Sequence, residues 1–171
     1  MLEAFNAVDR DGSGRLDAKE LSKVLVNYGK RSYNQSTVTM LVSLFDFEGV
    51  GSLNYRQFTE LYNYLSQWKD LFTMFDEDNS NSISISEFTQ AVRRFGFALS
   101  DRSIQRVFYT TMAQNGGKQQ RMPFDMFVQA GARITLLVEE FDKLRPTGGM
   151  IHIDVDTFCN SVMQIKDRNI L

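Results

Sequence analysis

Residues 9–20 read Asp-Arg-Asp-Gly-Ser-Gly-Arg-Leu-Asp-Ala-Lys-Glu, and residues 76–87 read Asp-Glu-Asp-Asn-Ser-Asn-Ser-Ile-Ser-Ile-Ser-Glu. Each stretch carries side-chain oxygens at positions 1, 3, 5, 9 and 12, with a glutamate last. A hard dication such as Ca2+ takes about six to eight oxygens, and a twelve-residue loop delivers them from positions 1, 3, 5, 7, 9 and 12. In loop 9–20 the side-chain ligands are Asp9, Asp11 and Ser13, and Arg15 offers its backbone carbonyl. Asp17 reaches the ion directly or through water, Glu20 is bidentate, and Gly14 makes the sharp turn at position 6. In loop 76–87 the ligands are Asp76, Asp78, Ser80, the Ser82 carbonyl, Ser84 and Glu87. Asn81 takes the turn there, asparagine being the non-glycine residue that best tolerates positive φ. Ser84 stands where the first loop has Asp17, so this site has one fewer acidic ligand.

Working outward, both loops belong to a repeat: an apolar helix ending in Val or Phe, an acidic loop, and a second helix. It begins at Val8-Asp9, Phe45-Asp46 and Phe75-Asp76. Seven residues after each Asp lies an aliphatic residue (Leu16, Leu53, Ile83), and twelve after it Leu21, Phe58 or Phe88 restarts the helix. The aliphatic position marks a short extended segment through which paired loops share backbone hydrogen bonds. The pattern recurs more weakly over 122–127 and 151–158. The expected fold is all-α, five EF-hand helix–loop–helix units with short β pairing between loops. They form one domain over 1–171, with hands at 1–29, 35–66, 67–96, 100–132 and 133–171. The first pairs with the second and the third with the fourth, which leaves the fifth without a partner.

The other loops lack the chemistry. Loop 46–57 keeps Asp46, Glu48, Gly51 and Asn54 but has Val50 at position 5 and neutral Gln57 at position 12, so its expected role is to pair with the first loop. Region 115–121 has no acidic residue before Asp125, and 142–149 puts Leu144 and Pro146 where oxygens are needed. His152 has no second His or Cys cluster beside it and reads as a half-buried loop residue. Ca2+ is therefore the expected cofactor, at two sites.

The bulk properties exclude several classes. The 171 residues carry a net charge of −2 with scattered Lys and Arg, which argues against a nucleic-acid partner. Hydrophobic residues make up 43% and include 14 Phe, enough for a core without disulfides. The single cysteine, Cys159, reads as a buried apolar residue. No leader pattern follows Met1, and no apolar run nears the ~20 residues of a membrane span, so a cytoplasmic protein is expected. Neither a Cys-His pair in catalytic context nor a phosphate loop is present, so catalysis is not expected.

Five consecutive hands with a degenerate last one resemble the penta-EF-hand family, in the group of the programmed-cell-death-6 protein, sorcin, grancalcin and the calpain small subunit. The similarity runs along nearly the whole chain. Residues 68–80, Trp-Lys-Asp-Leu-Phe-Thr-Met-Phe-Asp-Glu-Asp-Asn-Ser, are similar to the family's long helix from the second hand into the third. Residues 95–101, Phe-Gly-Phe-Ala-Leu-Ser-Asp, resemble its turn after the third hand, and loop 46–57 resembles that of the programmed-cell-death-6 branch. In that branch the first and third hands bind calcium tightly, the same choice the carboxylates make here. Two features depart from the family: the sequence starts within the first helix, its Gly/Pro-rich tail either trimmed or lacking, and the fifth loop does not keep the family's acidic ligand pattern.

A calcium sensor changes helix angles and uncovers apolar surface. The large residues of 55–75 are the candidates, with Tyr62, Trp68 and Phe72 as the expected target groove. The resemblance implies protein or peptide targets, Pro-rich or hydrophobic, and calcium-dependent membrane association through them. It also implies a homodimer, or a heterodimer with another penta-EF-hand chain, through the fifth hand, where Ile151, Ile153 and Phe158 are the expected contacts. The expected function is a calcium-binding sensor and adaptor. The alternatives are a regulatory subunit of a calcium-dependent protease and a calcium buffer.

Overall fold

The computed structural model describes residues 1–27, 30–114, 120–144, 150 and 153–167. Among them are eight helices, α1 (Leu2–Val8), α2 (Ala18–Val24), α3 (Gln35–Phe45), α4 (Tyr55–Phe75), α5 (Ile85–Arg94), α6 (Asp101–Gln114), α7 (Phe124–Lys143) and α8 (Val155–Asp167). Two short strands, β1 (Arg15–Asp17) and β2 (Ser52–Asn54), lie inside the first two loops. Five helix–loop–helix units arise from eight helices because α4 and α7 each serve two consecutive hands. The hand boundaries at 66/67 and 132/133 accordingly fall inside continuous helices.

Local chemistry starts three of these helices in one way. Position 9 of each loop is an N-cap whose side chain accepts from the backbone N–H of position 12, and the position-12 side chain accepts from the N-cap N–H. The pairs are Asp17 with Glu20, Asn54 with Gln57 and Ser84 with Glu87. Gln57 performs this capping as well as a glutamate does, so the second hand keeps its helix without the charge an ion needs. At the far end of α5, Gly96 at φ +82° closes a Schellman motif, with Gly96 N–H donating to Arg93 C=O and Phe97 N–H to Val92 C=O. That turn lies within the segment resembling the family's post-third-hand motif.

The loops pair as expected. β1 and β2 run antiparallel with Leu16 opposite Leu53, and Ile83 bridges Met122 through reciprocal backbone bonds of 2.8 and 2.7 Å. All four of these side chains are fully buried, so each loop pair is anchored on an apolar contact.

The core is continuous from α1 to α7. The inward stripe of α4 is Leu61, Leu65, Trp68, Phe72 and Phe75, at the 3.6-residue spacing of one helix face. Trp68 meets Phe127 of α7 edge-on at 5.5 Å, and Phe72 meets Phe124 and Phe127 at 5.4 and 5.6 Å. Expected in a target groove, Trp68 and Phe72 are instead core residues, 9% and 1% exposed. The reason is phase: they share a face with Leu61 and Leu65, and α7 covers that face. Trp68 approaches α7 where Gly131 presents no side chain.

A polar clamp on the buried Asp125 ties the first hands to α7. Asp125, at the start of α7, accepts from the Asn27 side-chain amide (2.8 Å) and the Asn34 backbone N–H (2.7 Å). Its own N–H donates to Asn27 Oδ1 at 2.9 Å. The end of the first hand, at Asn27, and the linker after it, at Asn34, are thus tied to the fourth hand.

At the other extreme, α8 packs on α7 and leaves much apolar surface open. Phe158 is 57% exposed and Val155 76%. Ile153 is half-buried, and Ile151 and His152 lie outside the described residues. Cys159, expected to be buried, is exposed on the same helix, because α8 has too few packing neighbours to cover it.

Candidate metal centres

Each candidate site is assembled from a turn that aims main-chain amides inward and a helix start that supplies the last carboxylate. In loop 9–20, Asp9 accepts from the N–H groups of Ser13 (3.0 Å) and Gly14 (2.9 Å). In loop 76–87, Asp76 accepts from Ser80 (3.0 Å) and Asn81 (2.8 Å) in the same way. Position 6 has positive φ in both, +73° at Gly14 and +58° at Asn81. Position 4 does too, with Gly12, Gly49 and Asn79 at +66°, +70° and +53° in the three acidic loops. The Gly or Asn at position 4 of all three loops is the sequence signal for this second left-handed residue.

The turns bring the predicted ligands together. One carboxylate oxygen from each of Asp9, Asp11 and Glu20 lies within 4.8 Å of the others, and so for Asp76, Asp78 and Glu87. The remaining ligands converge as well. Ser13 Oγ lies 3.1 Å from the Arg15 carbonyl, and Ser80 Oγ lies 2.8 Å from that of Ser82. Asp17 and Ser84 are placed as helix caps beside Glu20 and Glu87. Hydrogen bonds from the Ser13 side chain and backbone hold Asp11 below the usual carboxylate range. The Ser80 side chain foremost does the same for Asp78 and, helped by the Ser80 backbone N–H and the Arg121 charge, outweighs the opposing desolvation. These groups are ionised wherever calcium is bound.

Three carboxylates this close repel one another by roughly 1 kcal/mol per pair even in a water-like dielectric. A dication is the natural relief, and the donor set is hard oxygen throughout, so the residues fit Ca2+. Bound there, the ion supplies the positive charge that draws positions 1, 3, 5, 7 and 12 onto a common centre. Asp9, Asp11, Ser13, the Arg15 carbonyl, Asp17 and Glu20 would hold one ion. Asp76, Asp78, Ser80, the Ser82 carbonyl, Ser84 and Glu87 would hold the other.

The balance of charge differs between loops in a way the sequence did not reveal. The Arg15 side chain turns out of its own loop and into loop 46–57. It donates there to Glu48 and Ser52 Oγ at 2.9 Å, to the Ser52 carbonyl at 2.7 Å, and more weakly to Gln57 at 3.4 Å. It lies 3.9 Å from Asp46 Oδ1, which has no hydrogen-bond partner among the described residues. Asp46 stays acidic because backbone N–H bonds, Gly51 foremost, outweigh the opposing burial, with help from Arg15. Arg121 enters loop 76–87 similarly. Among the described residues, no Lys or Arg forms an ion pair with Asp9, Asp11 or Glu20.

Comparison with known proteins follows the same lines. An "EF hand" family model matches residues 2–26 and an "EF-hand domain" model matches residues 67–96, the two hands with complete ligand sets. Human peflin is 33% identical over 157 residues, spanning 90% of this chain and 54% of peflin. A rice calcium-binding protein, CBP, is 30% identical over 141 residues, 82% of this chain and 48% of its own length. Mouse sorcin is 27% identical over 170 residues, covering 96% of this chain and 83% of sorcin. The chain spans about half the length of most of the curated relatives it matches. In fold it resembles the solved structure of a programmed cell death 6 protein homologue from Leishmania major, with a TM-score of 0.79 and 22% identity over 99% of this chain and 93% of the other. Its ligand loops, shared helices and relatives make the chain a member of the penta-EF-hand family of calcium-binding proteins.

Proposed function

We propose that this chain is a calcium-responsive adaptor in which ion binding at loops 9–20 and 76–87 reshapes an apolar cavity that receives a peptide or protein target. One observation carries the reading. Glu20, the bidentate ligand of the first site, is the third residue of α2, a helix of only seven residues. The other end of that helix, at Val24 and Leu25, walls a cavity of about 490 Å3 together with Leu61, Tyr62, Leu65 and Phe124. A helix of two turns is too short to absorb a displacement along its length. Movement of Glu20 onto an ion therefore moves the cavity wall. The cavity's size and lining suit apolar side chains, and Tyr62 is the expected groove residue that lines it.

The fifth hand suggests the second element of the function. Loops one and two pair, as do three and four, while α8 presents Val155 and Phe158 to solvent. Pairing of fifth hands in a homodimer or a heterodimer would cover that surface. Such an adaptor acts in the cytoplasm and reaches membranes through its targets. Among the described residues, no helix is long and apolar enough to cross a bilayer.

The test is a calcium titration in the presence of an environment-sensitive apolar dye, for the wild type and Glu20→Gln. Calcium-dependent dye emission in the wild type, reduced in the variant, is the expected result. An unchanged signal in the wild type sinks the adaptor reading and leaves a buffer. Sedimentation equilibrium tests the dimer, and a monomer at micromolar concentration contradicts it.

A further inference from the structure

We infer that Arg121 is a tethered cation competing with Ca2+ for loop 76–87, so that an ion enters this site only by expelling it. The inference rests on the reading of that loop as a calcium site. The Arg121 guanidinium donates to Asp78 (2.9 Å), Ser80 Oγ (2.7 Å), the Ser82 carbonyl (3.0 Å) and Glu87 (3.2 Å), with Nε on Ser82 Oγ at 2.9 Å. Four of these oxygens are the ligands at positions 3, 5, 7 and 12. A group bonded to all four occupies the space an ion needs, since Ca2+ must approach the same oxygens to about 2.3–2.6 Å.

The placement is repeated elsewhere in the fold. Arg15 precedes Leu16, the residue that pairs with Leu53, and Arg121 precedes Met122, which pairs with Ile83. Both arginines thus occupy the same point of their hand and reach across the pair into the opposite loop. In loop 46–57 the host has lost oxygen at position 5 and charge at position 12, so Arg15 stands in for the ion there. In loop 76–87 the host set is complete, and Arg121 meets a competitor. The first loop faces no such arginine, because the residue opposite is Ser52.

Two consequences follow. The apparent dissociation constant rises by the inverse of the fraction of chains with Arg121 out of the loop, so a nine-tenths occupied arginine weakens binding about tenfold. Expelling Arg121 also frees the residue just before the Met122 bridge and α7, which couples calcium in the third hand to the fourth, a hand with no carboxylate set of its own.

The experiment is calcium calorimetry in a Glu20→Gln background, where loop 76–87 is read by itself, comparing Arg121, Arg121→Lys and Arg121→Gln chains. Binding about tenfold tighter in R121Q is expected, with R121K between. Arg102→Gln, an equal charge change on an exposed part of α6, should leave the affinity within about twofold. In the wild type, the Arg121 Nε–H resonance should be protected from exchange without calcium and lose protection with it. Equal or weaker binding by R121Q, or an Nε–H unaffected by calcium, overturns the inference while the site stands. No heat from this loop in any chain overturns the site reading and the inference with it. Thermal unfolding in saturating calcium checks that each variant is folded, and the wild-type resonance decides the matter if R121Q is not.

Discussion

Replacing Gly131 by alanine puts a methyl group where α7 meets the Trp68 indole. An alanine Cβ would stand 2.5 Å from Trp68 Cζ3, 3.0 Å from Cζ2 and closer still to Cη2. Ordinary contact is at about 3.5–4.0 Å, so the ring must withdraw by roughly 1 Å or more. It has little room to do so, being held edge-on by Tyr64, Phe95 and Phe127 at 5.9, 6.0 and 5.5 Å. On an open helix face the same substitution stabilises by about 0.5–1 kcal/mol, because glycine loses more backbone freedom on folding. Overpacking in a full core costs about 1–3 kcal/mol, so the clash reverses the sign. The expected net loss is about 1–2 kcal/mol, or a melting point lower by about 2–8 °C for a domain of this size. Thermal unfolding followed by circular dichroism measures it. Trp68→Phe removes the three offending atoms, so Gly131→Ala should cost much less in that background, with a coupling of about 1 kcal/mol or more in the double-mutant cycle. A Gly131→Ala chain as stable as the wild type, or a cycle without coupling, refutes the close packing of α4 on α7.

Asp125→Ala should destabilise by about 1–3 kcal/mol, since it leaves the half-buried Asn34 N–H and Asn27 amide without the acceptor that the buried Asp125 supplies. An unchanged urea midpoint would contradict the clamp. Tyr64 supplies a pH test. Burial, reinforced by the Glu139 charge and opposed by a hydrogen bond from Trp68, pushes its hydroxyl up to about 12 from 10.0. Below pH 10 both folded and unfolded chains keep this proton. As pH rises from 10 to about 12 only the unfolded chain loses it, and stability falls across that window. Phenolate absorbance should show a tyrosine titrating late, and Tyr64→Phe should remove that component together with its share of the stability loss.

Much of this was legible because it is local. Ligand spacing within twelve residues named both carboxylate clusters, and the aliphatic Leu16, Leu53 and Ile83 marked the strand pairing. Even the reciprocal caps were readable as Asp17-x-x-Glu20, Asn54-x-x-Gln57 and Ser84-x-x-Glu87. What escaped depends on contacts distant in sequence. Arg15 looked like a carbonyl donor to its own loop, and nothing in the local pattern says that its side chain crosses into the neighbouring one. Arg121 sits in a hand with no acidic ligands, where no local pattern marks it. Trp68 and Phe72 belong to the core because phase outranks the density of large residues on α4: Leu61, Leu65, Trp68, Phe72 and Phe75 form one stripe. Gly131 and Asp125 acquire their roles only when α7 meets α4, Asn27 and Asn34.

The central claim is that two of the five hands bind calcium, through Glu20 and Glu87. Calorimetric titration of the wild type beside Glu20→Gln and Glu87→Gln tests it most directly. Glutamine keeps the helix cap, as Gln57 does in the second hand, and removes only the charge and the bidentate grip. Two sites in the wild type, with a different one lost in each variant, are the predicted result. A third site that persists in both variants, or full binding in either, would contradict the account.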